Sequence, residues 1–155
     1  MAAAPGKTRP RAVLFACGWN AVRSPMAAAL CRRMFGQAFQ VGSAGVRKGE
    51  LDPFAVAAME EVGIDIARHQ PATFEELEDL EGLDYDLIVT LSPAAHHRAL
   101  ELTHRLDADV EYWPTEDPTA AEGNREQRLD AYRAVRDELM ARIRDRFGAS
   151  GTGNE

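Results

Sequence analysis

Residues 12–30 read AVLFACGWNAVRSPMAAAL, and the fold turns on how this stretch divides. The run RAVLFAC, residues 11–17, is short, apolar and without polar alternation. Such a run suits a strand buried on both faces better than a helix. From residue 24 the composition becomes that of a helix. Ser24 is placed as its N-cap and Pro25 at its first position, where a missing N–H costs nothing. Gly36 closes it. Cys17 thus stands at the carboxyl end of a buried strand, followed by a loop that carries Arg23.

The same alternation runs through the rest of the chain. AFQVGSAG (38–45) reads as a second strand, and Asp52-Pro53 opens a helix whose Phe54, Val56, Ala57 and Met59 lead to Gly63. Thr73 and Glu76 form a capping box before a short helix. YDLIVTL (85–91) is a third strand, Ser92-Pro93 starts another helix, and DVEYW (109–113) is a brief fourth strand. Asn124 and Gln127 cap a long helix that repeats Leu129, Tyr132, Val135, Leu139, Ile143 and Phe147 at helical spacing. Strands that alternate with helices pair in parallel and are covered on both faces. The expectation is a three-layer α/β/α domain over residues 11–147 with a four-stranded parallel sheet, a flexible leader at 1–10 and a disordered tail at 148–155. In such sheets ligands bind at the carboxyl ends of the strands, where the strand order switches.

Composition narrows the function. The 155 residues are 45% hydrophobic and 28% charged, with a net charge of −7. These are values of a soluble globular protein. No apolar run approaches the roughly 20 residues of a membrane span. An acidic chain is a poor binder of nucleic acid. Yet the first 50 residues hold eight basic side chains and one acid, Glu50, so a small anion fits the N-terminal third. Two cysteines without paired spacing point to a reducing compartment, with the cytoplasm as the default. No glycine-rich nucleotide fingerprint is present, and no cofactor or metal is expected. His69, His96, His97 and His104 lack ligand spacing with cysteines or carboxylates and are placed on helix surfaces. The acidic run at 75–86 is read as a solvated helix face and turn.

The segment from Gly18 through Trp19, Asn20, Ala21 and Val22 to Arg23 and Ser24 is the chemical centre. A loop feeding a helix start leaves backbone N–H groups without intrahelical partners. Those donors, the positive helix end and the Arg23 guanidinium favour a tetrahedral oxyanion. The same field favours the thiolate, the nucleophilic form of a cysteine. Taken alone, Cys-x5-Arg is a weak signal, and most free cysteines are simply small apolar residues.

VLFACGWNAVRSPMAAAL, however, resembles the phosphate-binding loop of the low-molecular-weight protein tyrosine phosphatase superfamily, which also holds thioredoxin-coupled arsenate reductases. The likeness continues in order through VGSAGV, GIDIARHQP, YDLIVTLS, Asp117-Pro118 and the last helix. It implies a flavodoxin-like α/β fold and hydrolysis of a phosphomonoester, in a protein or a small molecule, through a phosphocysteine. It also implies roles. Cys17 matches the nucleophile, Arg23 the anion clamp and Asp117 the general acid. Asn20 matches the residue that holds the loop's shape, Ser24 the hydroxyl on the sulfur, and Ser43 a brace for Asn20.

Four positions depart from that pattern. Trp19 stands where the family has glycine, and its indole either lines the pocket mouth or bends the loop. Val22 replaces a frequent second cysteine, and Thr119 and Ala120 follow Asp117-Pro118 where tyrosines are usual, which leaves phosphotyrosine specificity open. The tail from Glu111 is more similar to the arsenate-reductase branch, whose thioredoxin-coupled members need two further cysteines. Cys31 does not supply one. It lies about 10 Å beyond Ser24 along the helix, and a disulfide spans roughly 7 Å between Cα atoms. Reduction of arsenate with an external thiol is the alternative activity. Phosphoanion binding without catalysis is the alternative outside enzymes.

Overall fold

The computed structural model describes residues 9–148. The expected leader and tail lie largely outside the described residues, at 1–8 and 149–155. Arg9 and Pro10, assigned to the leader, belong to the fold. Pro10 is buried, and Arg9 donates to the Phe147 carbonyl at 3.0 Å while lying over the rings of Phe35 and Phe39.

Four parallel strands, β1 (Ala12–Cys17), β2 (Gln40–Gly45), β3 (Leu87–Thr90) and β4 (Asp109–Tyr112), form one sheet in the order β2-β1-β3-β4. All six residues of β1 are buried, as the unbroken apolar run requires of a central strand. Its side chains divide by parity. Val13, Phe15 and Cys17 enter the core beneath α1 (Arg23–Phe35) and α5 (Arg125–Ile143), together with Met26, Leu30, Tyr132 and Leu139. Leu14 and Ala16 enter the opposite core, with Phe74 of α3 (Phe74–Glu81) and Ala95 and Ala99 of α4 (Pro93–Leu102). Helix α2 (Pro53–Glu60) packs against α5.

Local chemistry accounts for most of the element ends. Asp52 caps α2 through the Phe54 N–H at 2.8 Å, and Ser92 caps α4 through Ala95 N–H at 3.2 Å. Thr73–Glu76 and Asn124–Gln127 both close reciprocal capping boxes. Helix α5 ends at Ile143, and a wider turn over Arg144–Gly148 delivers Phe147 into the core. Asp86 accepts from the Arg11 and Ala12 N–H groups, so the entry of β3 fastens that of β1. Three of the five acidic residues of α3 are held by neighbours: Glu76 by Lys48 at 2.6 Å, Glu75 by Arg98 and Glu78 by Arg105.

The start of α1 corrects one expectation. The helix begins at Arg23, not after a Ser24 cap, and Val22 holds the cap position with no side-chain hydrogen bond. The Ser24 hydroxyl is occupied by the Cys17 sulfur instead. The chain crosses from β1 to β2 on one side and returns to β3 on the other, so the order switches beside the end of β1. Cys17 sits there.

Candidate active site

The loop after β1 is turned with its carbonyls outward. Cys17, Gly18, Trp19 and Ala21 carbonyls accept from the N–H groups of Val46, Arg47, Gly49 and Asp52 at 2.9–3.2 Å. The segment after β2 therefore clasps the loop from outside. Gly45 permits this approach, because a Cβ there would meet the Asn20 nitrogen at 2.8 Å and the Trp19 carbonyl carbon at 2.9 Å. The N–H groups of residues 18–23 make no backbone hydrogen bond among the described residues. They are the donors that a nest offers to an anion.

Inside the loop, Asn20 is fully buried and takes a left-handed conformation, φ 54°. Asparagine tolerates that region better than most residues. Its Nδ2 donates to Ser24 Oγ at 2.8 Å, and Ser24 Oγ lies 3.0 Å from Cys17 Sγ. Either the thiol or the hydroxyl can donate in this contact, and once the sulfur is a thiolate the hydroxyl is the donor. The Ser24 N–H adds a second contact to Sγ at 3.4 Å. Both donors favour negative charge on the sulfur.

Asn20 is itself held at the other end. Its Oδ1 accepts from Ala72 N–H at 2.9 Å and from His69 Nε2 at 3.1 Å, and its carbonyl from the same His69 nitrogen at 3.2 Å. Both partners of Nε2 are acceptors, so Nε2 carries the proton. Burial pushes the His69 pKa below the ordinary histidine value. A neutral ring suffices for this contact. His69 is thus neither on a helix nor at the free surface, which corrects the sequence-based placement. The predicted brace is corrected as well. Ser43, opposite Phe15 in the ladder, makes no bond to Asn20 among the described residues, because Ala72 and His69 occupy that oxygen. In the sequence His69 stands within the GIDIARHQP likeness, but its contact with Asn20 shows only in the path of residues 64–72 back to the loop.

Arg23 is half-buried, and its Nη1 donates to the Thr115 carbonyl at 2.8 Å. Pairing continues past β4, with Trp113 N–H on Thr90 and Thr115 N–H on Leu91, and so guides the chain across the end of β3 to Asp117. Asp117 Oδ1 accepts from the Thr119 N–H at 3.0 Å and the Thr119 hydroxyl at 2.7 Å. No hydrogen bond among the described residues engages Oδ2. Cys17, Arg23, Asp117, Trp19, Ala21 and Val22 line one cleft of about 240 Å³, completed by Gly49, Glu50, Asp52 and Thr119. Trp19 is 52% exposed at this cleft, and its carbonyl still accepts from Gly49. The indole lines the mouth, and the loop closes around it.

Cys31 is buried in α1, and desolvation pushes its thiol up to about 12. Among the described residues no group of three histidine, cysteine or carboxylate side chains is placed to hold a metal, and no helix is long and apolar enough to cross a membrane.

Residues 12–149 match the family described as low molecular weight phosphotyrosine protein phosphatase. The chain belongs to this family. Among curated relatives, an arsenate reductase of Shouchella clausii is 36% identical over 144 residues, covering 90% of this chain and 96% of the relative. Among solved structures, a tyrosine phosphatase of Erwinia amylovora superposes with a TM-score of 0.73 at 18% identity, covering 91% of this chain and 93% of that one; this likeness speaks for the fold alone. An arsenate reductase of Archaeoglobus fulgidus superposes with a TM-score of 0.66 at 28% identity, covering 88% and 98%. The family thus spans two chemistries on tetrahedral oxyanions.

Proposed function

We propose that this protein hydrolyses phosphomonoesters through a phosphocysteine on Cys17. The loop N–H groups and the free face of the Arg23 guanidinium hold the phosphoryl oxygens. The Cys17 thiolate attacks phosphorus, the P–O bond to the leaving group breaks, and Asp117 gives its proton to the departing oxygen. The Asp117 carboxylate then takes a proton from water as that water attacks phosphorus. The S–P bond breaks, and inorganic phosphate leaves with the thiolate restored. Ser24 and Asn20 stabilise the sulfur as a leaving group in this second step. The observation that carries the reading is Asp117, with an unengaged carboxylate oxygen, on the wall of the cleft that holds Cys17 and Arg23.

Turnover of an aryl phosphate tests it. Cys17→Ala is expected to abolish turnover, and Asp117→Asn to lower kcat by about 10²–10⁴. Turnover that survives Cys17→Ala overturns the proposal.

The names of the curated relatives favour a second reading, arsenate reduction. Reducing arsenate to arsenite takes two electrons from two thiols, and the chain's other cysteine is buried with its thiol pushed up to about 12. An external thiol has to attack the sulfur of a Cys17–arsenate adduct. Arsenic leaves with the electron pair as arsenite, and a second external thiol resolves the mixed disulfide. Thiol-dependent arsenite release without phosphate ester turnover selects this reading.

A further inference from the structure

Within the phosphatase reading, on which this rests, we infer that Glu50 selects substrates whose leaving group carries a cation. Among the described residues the cleft holds one cationic side chain, Arg23, and three carboxylates, Glu50, Asp52 and Asp117. Two of the carboxylates are committed. Asp117 is held by Thr119, and Asp52 accepts from Phe54 N–H at 2.8 Å and from the Tyr132 hydroxyl at 2.6 Å. Glu50 is exposed and forms no hydrogen bond or ion pair among the described residues.

The basic neighbours of Glu50 are engaged elsewhere. Arg47 lies 5.7 Å from the centre of the Trp19 ring without lining the cleft, and Lys48 pairs with Glu76 at 2.6 Å. Arg128 shares a neighbouring depression with Glu50 but stacks on Phe54, 4.7 Å from the ring centre. A carboxylate left unneutralised on the wall of an anion site repels a bare phosphate dianion. It becomes favourable when the substrate supplies an ammonium or guanidinium beyond the phosphoryl group. The Trp19 indole on the same wall already carries the Arg47 guanidinium, 5.7 Å from its ring centre, so the attraction for a substrate cation rests on Glu50. At about 240 Å³ the cleft takes a phosphoryl group and one compact leaving group, so the cation belongs on that group. The ligand class is a zwitterionic phosphomonoester.

The test compares 4-(aminomethyl)phenyl phosphate with 4-methylphenyl phosphate on the wild-type chain and on Glu50→Gln. The wild type is expected to favour the cationic ester in kcat/KM by roughly two- to five-fold over its solution ratio, the range of an exposed ion pair. Glu50→Gln is expected to bring that ratio close to its value for free reaction in solution. Because the ratio is taken between two esters on one protein, a change in folding or in the amount of active protein cancels. A ratio that is the same in both proteins, or a wild-type preference for the neutral ester, overturns the inference and leaves the phosphatase reading standing. Turnover of neither ester overturns both.

Discussion

At the scale of single residues, the site depends on a relay of hydrogen bonds that ends on sulfur. Ala72 and His69 fix Asn20, Asn20 fixes Ser24, and Ser24 addresses Cys17. Asn20→Ala leaves the half-buried Ala72 N–H and the His69 ring without their acceptor and the Ser24 hydroxyl without its orienting donor. We expect a loss of about 1–3 kcal/mol in a denaturant titration, together with a fall in kcat larger than any change in KM. His69 adds a pH signature. The unfolded chain takes up the histidine proton near its ordinary 6.5, whereas the buried ring does so only at lower pH. Between those two values the unfolded state binds more protons, so stability falls as pH drops through the window and is unaffected above it. Thermal unfolding of wild type and His69→Gln between about pH 7.5 and pH 5.5 checks this, with the steeper decline expected for wild type. Cys17, Arg23 and Asp117 were legible as residue types in position. His69 was not, because its role arises from a loop folding back over 49 positions of sequence to reach Asn20.

At the scale of elements, boundaries were readable wherever side-chain chemistry sets them. Asp52-Pro53, Thr73–Glu76, Ser92-Pro93 and Asn124–Gln127 all cap as their patterns imply. The rule failed at α1, where Ser24 serves the sulfur and the helix starts at Arg23 uncapped. A local propensity yielded to the site, which is where such failures are expected. Helix α5 also reaches the cleft indirectly. Tyr132 donates from α5 to Asp52, which both caps α2 and lines the cleft. The buried phenol is held well above the ordinary tyrosine range by burial and by this carboxylate. Tyr132→Phe is expected to cost about 1.5–3 kcal/mol in unfolding free energy, the range of a hydrogen bond to a charged group. A smaller drop in kcat/KM should follow as the Asp52 wall loosens. Arg133 and Arg136 of α5 hold the Glu61 carboxyl down to about 2, so the link between α5 and the end of α2 contributes above the ordinary glutamate value of 4.5 and is lost only as pH falls toward about 2.

At the scale of the molecule, the parallel sheet and its switch point follow from the alternation of apolar runs and capped helices. The basic surplus of the N-terminal third was legible too, but its meaning was not. Among the described basic residues only Arg23 faces the cleft, whereas Arg32 and Arg33 donate to the Val41 and Gly63 carbonyls. In the proposed function the attraction for an anion comes from backbone N–H groups and one guanidinium rather than from net charge. The same architecture separates the two cysteines. An alkylating reagent is expected to label Cys17 in the folded protein, with phosphate protecting it, and Cys31 only after unfolding; peptide mapping reads both. The most direct measurement of the central claim is mass spectrometry of peptides after the protein is mixed with an aryl phosphate and quenched in acid. The account predicts one phosphoryl group on the Cys17 sulfur, accumulating further in Asp117→Asn. Turnover with Cys17 unmodified at every time point, or a phosphoryl group on another residue, would contradict it.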